Sequence, residues 1–514
     1  MVSSTPLTHE PVELASFGGD GSLAAAGWVQ RVNPARTDEL VGRVSTVDTD
    51  GVDATVRCAQ DAFGSWSVTP PAERAEALLA AADAVAASAG HNAPLLAREL
   101  GKIVADCEGE MGFAAAYLRH AVEAWQRVGA SRDVDDELGR LRVLQVPFGV
   151  CVAIVPWNAP LILSILKVAP ALVSGNTIVV KPSPLAPLAV TQSLAAIAAL
   201  LPPGVLSVLH GDAEVGEALV GHQLVRKVAF TGGGAVARSV AATAARNVTP
   251  VVLELGGNDA AVLLDDAPFG EELYERLVWG TFLTSGQVCM AAKRLYVPES
   301  RAGEFIEGYR AAADRLLVMG DPLDPEVTIG PMASAGQRDH VLRLLDDARR
   351  RGADVHELGT VAAGLVEERG WFCRPTLVTG PSMTGVDDSA SVAIEEQFGP
   401  TVPVLTYSDE QDLLARVNAD QHGLASSVWS IDEDRAFAFA ERIEAGFTFV
   451  NCHNRAGMSL RAPFGGTKQS GYGREFGDEG VAEYCQSHAI HVPAAMRLGE
   501  RAPTESTAAS AYPS

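Results

Sequence analysis

Between residues 150 and 260 short apolar runs alternate with helical stretches, and this alternation limits the folds open to the chain more than any other feature. The runs are CVAIV, TIVVK, VLSVLH, KVAFT and VVLEL, and helical patterns between them cover about 160–173, 186–200, 213–220 and 235–246. Apolar strands spaced by helices in this way read as βαβ units, and hence as a parallel sheet with both faces covered. The predicted fold class is therefore α/β. Ligands of such sheets bind beyond the carboxyl ends of the strands. Attention falls on the turns Pro156-Trp157-Asn158, Lys181-Pro182-Ser183, Thr231-Gly232-Gly233-Gly234 and Glu254-Leu255-Gly256-Gly257.

The rest of the chain supplies context. At 514 residues there is room for about three domains at roughly 150 residues each. Residues 72–89 and about 110–128 read as helices, the alternation near 130–147 as a hairpin, and about 260–450 as a second α/β segment. Residues 1–20 and 500–514 are polar and aperiodic, as loose ends are. One stretch, residues 151–173, has the length of a membrane span. Pro156, Asn158, Pro160, Lys167 and Pro170 interrupt it, so a strand, a turn and a buried helix are expected instead. With 40 Lys+Arg against 64 Asp+Glu the net charge is −24, which repels nucleic-acid phosphates and anionic lipid. Seven cysteines without a C-x-x-C spacing argue against a disulfide framework or a zinc site, and no metal is expected. The first thirty residues lack a basic segment followed by an apolar one, so a cytoplasmic location is expected.

Two local patterns could carry chemistry. Gly232-Gly233-Gly234-Ala235-Val236-Ala237 satisfies a loose G-x-G-x-x-G/A pattern, with Glu254 about twenty residues on, where a ribose-binding acid would stand. It follows the fourth strand rather than the first. A dinucleotide fingerprint, a different phosphate site and a plain tight turn all remain open. Cys289, behind Ser285-Gly286-Gln287-Val288, could be an exposed nucleophile, although most free cysteines are small buried apolar residues.

Taken together, the turns resemble the aldehyde dehydrogenase superfamily, from about Asn33-Pro34 to about Tyr484. The likeness runs through Glu99-Leu100-Gly101-Lys102, Pro156-Trp157-Asn158, Lys181-Pro182-Ser183, Phe230-Thr231-Gly232, Glu254-Leu255-Gly256-Gly257 and Gly286-Gln287-Val288-Cys289. It continues through Glu396-Gln397-Phe398-Gly399-Pro400, Asn451, and Pro463-Phe464-Gly465-Gly466 with Lys468, Ser470 and Gly471. The resemblance implies a Rossmann-type cofactor domain, an α/β catalytic domain and a β hairpin for oligomerisation. It also implies that Cys289 is the nucleophile, that Asn158 and the Cys289 N–H form the oxyanion hole, and that Glu254 is the base that activates water. Trp157, Lys181, Ser183, Pro184, Gly232, Gly233, Leu255, Glu396 and Phe398 are implied as cofactor-binding. Lys181 would serve the adenine-side ribose and Glu396 the nicotinamide-side ribose, while Glu395 is read as a solvated charge. The implied cofactor is NAD, with NADP also admitted, and the partners are a small aldehyde and further copies of the chain in a homodimer or homotetramer.

The expected division is 1–129 and 148–255 for the cofactor domain, 256–450 for the catalytic domain, 130–147 and 451–495 for bridging elements, and 496–514 for a loose tail. The implied reaction converts aldehyde and NAD(P)⁺ to carboxylate through a cysteine thioester. Acylation of coenzyme A, a cysteine esterase and a non-catalytic binding protein are the alternatives. A glutamate at 254 favours hydrolysis over acylation. Four departures from the family pattern stand out: Gly233 where Ser is common, Ala237 where Gly is frequent, Pro184 where many NAD-preferring relatives carry Glu, and Ala159 where an aromatic ring is frequent.

Overall fold

The five expected strands form the parallel heart of one sheet, in the order Val251–Leu255, Val225–Gly232, Val150–Ile154, Thr177–Lys181, Leu206–Val208. The computed structural model describes residues 10–19 and 21–498. The first strand in sequence lies in the middle, with the second on one side and the fourth on the other. This is the point at which a doubly wound sheet opens a crevice. Register brings the strand ends level: Ile154 lies opposite Phe230 and Lys181, and Phe230 lies opposite Leu253. Trp157-Asn158, Gly232-Gly233 and Leu255-Gly256 therefore all emerge beyond the same edge.

The span-like stretch resolves into the strand Val150–Ile154, a turn and the helix Pro160–Val173, which Pro160 opens in its first turn. Among the described residues no helix is long and apolar enough to cross a membrane. Two buried carboxylates cap helices that lack a side-chain cap of their own. Glu99 accepts the Leu188 and Ala189 N–H groups, both at 2.8 Å, at the start of Leu188–Ala198. Glu110, ion-paired with Lys102, accepts the Leu161 N–H at 2.8 Å at the start of Pro160–Val173. The motif Glu99-Leu100-Gly101-Lys102 is thus scaffolding for the crevice. Gly101 ends the helix Pro71–Leu100 at φ +87°, where a Cβ would stand 2.8 Å from Pro331.

Two expectations need correction. Residues 10–19 are not a loose end: Val12–Leu14 pairs in parallel with Arg36–Thr46, and Phe17 pairs with Val208 at the margin of the cofactor sheet. Residues 1–9 and 499–514 lie outside the described residues, as does most of the expected 496–514 tail. The segment 451–495 also divides. Gly471–Tyr472 pairs antiparallel with Val251–Leu255, and Phe476 meets Tyr117 edge-on at 5.3 Å, so this part returns to the first parallel sheet and its helices. Only Cys485–Pro493 joins the hairpin of Arg132–Asp136 and Gly139–Pro147, in register from Cys485 opposite Pro147 to Pro493 opposite Gly139.

The second sheet has the order Asp354–Glu357, Thr376–Thr379, Thr401–Tyr407, Arg294–Pro298, Ala260–Leu263, Ala425–Trp429, Phe447–Val450 and is parallel except at its first strand. Its strands Ala260–Leu263, Arg294–Pro298 and Ala425–Trp429 are wholly buried, as parallel strands covered on both faces are.

Candidate active site

The helix Glu271–Phe282 ends in a turn whose residues Thr284, Ser285 and Gly286 all adopt positive φ, at 55°, 56° and 69°. Each non-glycine in that region costs about 1–2 kcal/mol, so the surroundings must impose the turn. Asp106 accepts the Thr284 N–H at 3.1 Å and its hydroxyl at 3.0 Å, while the Ser285 hydroxyl donates to the Gly330 carbonyl at 2.9 Å. Gly286 passes so near Gly399 that a Cβ would stand 2.3 Å from its carbonyl oxygen. This braced turn delivers Gln287, whose side chain accepts the Ala333 N–H at 3.0 Å, and then Cys289.

Asn158 meets the same loop from the cofactor side. Its Nδ2 donates to the Gln287 carbonyl at 3.0 Å, and an amide nitrogen has a second hydrogen to give. Cys289 is half-buried, and burial pushes its thiol up to about 12, with Lys293 drawing it back down. Glu254 is buried at the end of its strand. Burial raises its carboxyl well above the usual range, Glu475 adds to the rise, and Lys167 opposes it. Its Oε1 has no hydrogen-bond partner among the described residues. Glu475 itself is held by the Lys167 ammonium at 2.6 Å.

One cavity of about 420 Å³ at the crevice is lined by Cys289, Asn158, Glu254, Trp157, Gly232, Gly233, Leu255, Glu396 and Phe398. Trp157 and Phe398 meet edge-on at 5.5 Å. A Cβ at Gly256 would lie 2.1 Å from the Glu396 Oε2, so glycine there lets the carboxylate keep its position. A second cavity of about 470 Å³ is lined by Lys181, Pro184, Asp212, Glu217 and Val236. Ser183 lines neither cavity; its hydroxyl accepts the Leu185 N–H at 3.2 Å and closes the turn. Glu395 is exposed, as expected.

These surroundings suit a dinucleotide. The twelve-residue helix Gly234–Ala245 has no side-chain cap, and a Cβ at its N-cap Gly233 would meet nothing within 4 Å, so its free N–H groups are open to a phosphate. The buried Lys181 ammonium faces the neighbouring cavity, and its burial lowers its pKa.

Several site residues were not singled out from the sequence. Gln337 and His340, on the helix Ala335–Arg350, line the first cavity. Gln337 donates to the Gln397 and Phe398 carbonyls, both at 3.1 Å, and the His340 Nε2 lies 3.0 Å from the Glu396 carbonyl. Lys167 did carry a signal, since a lysine inside the apolar run LILSILKVAP must find a buried partner. Beyond Cys289 a narrow cavity of about 90 Å³ runs between Ala159, Ile162, Leu163, Met290, Met458 and Phe464.

The sequence profile of the aldehyde dehydrogenase family matches residues 24–490. The chain belongs to the aldehyde dehydrogenase family. It is 36% identical over 487 residues to geranial dehydrogenase of Castellaniella defragrans, covering 92% of this chain and 97% of that protein. The crystal structure of Mycobacterium tuberculosis aldehyde dehydrogenase complexed with NAD⁺ superposes with a TM-score of 0.88 at 33% identity, covering 94% of this chain and 99% of the other. A Pseudomonas syringae aldehyde dehydrogenase C variant complexed with NAD⁺ and octanal gives a TM-score of 0.86 at 31% identity, covering 93% and 96%. As in other members of the aldehyde dehydrogenase family, the fold is mixed α/β.

Proposed function

We propose that this aldehyde dehydrogenase family member oxidises an apolar aldehyde to its carboxylate, with NAD as the electron acceptor and water as the acyl acceptor. The observation that carries the reading is that a thiol, an amide donor and an unpartnered carboxyl face one cavity at the sheet's switch point. Cys289 adds to the carbonyl, and Asn158 Nδ2–H with the Cys289 N–H receives the developing alkoxide. A nicotinamide held beside the edge-on pair of Trp157 and Phe398 would supply the acceptor for the hydride released as the thioester forms. Glu254 then takes a proton from water, which attacks the acyl carbon and frees Cys289. With Glu254 in reach, hydrolysis is favoured over transfer to coenzyme A.

Glu396 would hold the nicotinamide-side ribose, Lys181 the adenine-side ribose, and the helix after Gly233 the pyrophosphate. Pro184 leaves no acid in its turn, but Asp212 and Glu217 line the same cavity and disfavour a 2′-phosphate, so NAD is preferred to NADP. The substrate class follows from the narrow cavity, where Arg455 pairs with Asp106 at 2.8 Å, Lys102 with Glu110 and Glu475 with Lys167, so that apart from Glu254 its wall is mostly apolar. The unpaired edge and exposed face of Cys485–Pro493 support assembly as a homodimer or homotetramer. Seven cysteines, none of them in a disulfide, suit the reducing cytoplasm.

The test is a spectrophotometric screen of aldehydes with NAD and NADP. Cys289→Ala should abolish turnover, and Asn158→Ala should lower kcat about 10²–10³-fold. Ester cleavage without NADH formation would support the esterase alternative, and dinucleotide binding without turnover the non-catalytic one.

A further inference from the structure

Four residues after the nucleophile, Lys293 places a cation where the two halves of the site meet. Its side chain is 3% exposed, and its Nζ donates to the backbone carbonyl of Cys289 and pairs with Glu396 Oε1 at 2.9 Å. The same ammonium lies 5.9 Å from the centroid of the Phe398 ring. The same Oε1 accepts the Gly257 N–H at 3.2 Å, and the missing side chain of Gly256 makes room for the carboxylate.

A buried ammonium is costly unless its hydrogen bonds and charge are answered. Here the answering groups are the carbonyl of the nucleophile and the carboxylate on the cofactor side. We propose that Lys293 is a positioning residue that locks the Cys289 loop to Glu396 and favours the Cys289 thiolate, so that the nucleophile and the cofactor-side carboxylate are set by one cation. The roles of Cys289 and Glu396 in this inference rest on the aldehyde-oxidation reading.

The charged and titratable groups facing this cluster are Glu396, Asp259, Glu254 and His453. Although burial works against its charge, Glu396 and Asp259 hold Lys293 above its ordinary pKa, so it stays cationic through the working range. Burial keeps His453 neutral, at about 3. Near Cys289, therefore, Lys293 is the group that opposes the effect of burial on the thiol, while Glu396, Asp259 and Glu254 reinforce it.

Two substitutions separate tether from charge. Lys293→Gln keeps a donor for the Cys289 carbonyl and loses the charge, and Lys293→Arg keeps the charge. Cys289 alkylation by iodoacetamide, followed by mass spectrometry in the cofactor-free enzyme from about pH 6 to about pH 10, reads the thiolate directly. The Lys293→Gln profile should move up by about one pH unit, as expected for loss of a nearby opposite charge, and Lys293→Arg should restore most of it. NAD titrated calorimetrically should bind Lys293→Gln about tenfold more weakly, since Glu396 loses its charged partner. A folded Lys293→Gln enzyme with the wild-type alkylation profile and wild-type NAD affinity would overturn the inference. Alkylation needs neither aldehyde nor NAD. A wild-type enzyme that turns over no aldehyde would therefore defeat the proposed function, while the alkylation profiles would still decide the role of Lys293.

Discussion

Gly465 lies against the carboxylate of Glu254: a Cβ built on it would stand 2.8 Å from Oε1. The same Cβ would stand 2.5 Å from the Gly473 carbonyl oxygen, so the backbone leaves no room to give. The glycine keeps open the space in which a buried, unpartnered carboxyl can turn toward water. Gly465→Ala should slow hydrolysis of the thioester more than its formation. It should also cost about 1–3 kcal/mol by overpacking. Stopped-flow traces showing an intact NADH burst with a slowed steady state would bear this out, whereas a lost burst would place the damage at Cys289.

Glu254 also sets a pH dependence with a definite sign. Burial raises its carboxyl well above the ordinary range, so the folded chain keeps this proton where the unfolded chain has released it. Stability therefore falls as pH rises from the usual carboxyl range toward the raised folded value. Glu254→Gln removes that linkage, so its Tm relative to wild type should climb as pH rises above the ordinary carboxyl range. Deacylation, which needs the ionised base, should rise with pH over the same range in the wild type and be flat and slow in Glu254→Gln. A Tm difference independent of pH would show that Glu254 ionises alike in both states.

The strand–helix alternation made the first parallel sheet legible, because buried parallel strands read as short, largely apolar runs: VVLEL occupies Val251–Leu255, and the helix expected at 160–173 is Pro160–Val173. Phe17–Gly18 was not legible, since two residues carry no periodicity and their strand character comes from the partner Val208. The site divides in the same way. Turns after strands are local, so position and motif sufficed to point to Asn158 and Glu254, which line one cavity with Cys289. The contacts that arm them are not local: Glu475 comes from far along the chain to Lys167, and Glu396 to Lys293. Ser183 is a motif residue whose hydroxyl accepts the Leu185 N–H within its own turn.

Asp106 joins the substrate cavity to the nucleophile turn. One oxygen accepts Arg455 Nη2 at 2.8 Å, and the other takes both donors of Thr284. Asp106→Ala would release a turn held at positive φ and leave the partly exposed Arg455 guanidinium without its partner. The expected cost is about 1–3 kcal/mol in denaturant unfolding, with kcat falling more than KM changes, because the loss lies in placing Cys289. Unchanged kcat would show that Ser285 and Gly286 hold the turn unaided.

Ala159 follows Asn158 and lines the narrow cavity beyond Cys289, beside Ile162, Leu163 and Met290. These neighbours narrow the space to about 90 Å³ but do not close it, and they leave its wall apolar. A phenyl ring at 159 would occupy most of that volume and stand where the substituent of a bulky aldehyde has to lie. Ala159→Phe should therefore lower kcat/KM for branched or aromatic aldehydes by about 10–200-fold, the range that a few methylene-sized contacts supply. Acetaldehyde, whose methyl group needs little room, should lose far less. The comparison is internal to one variant, so a general loss of folded enzyme would scale both substrates alike and leave their ratio unmoved. Equal losses for acetaldehyde and a bulky aldehyde would show that Leu163 and Met290, rather than Ala159, set the width of the site.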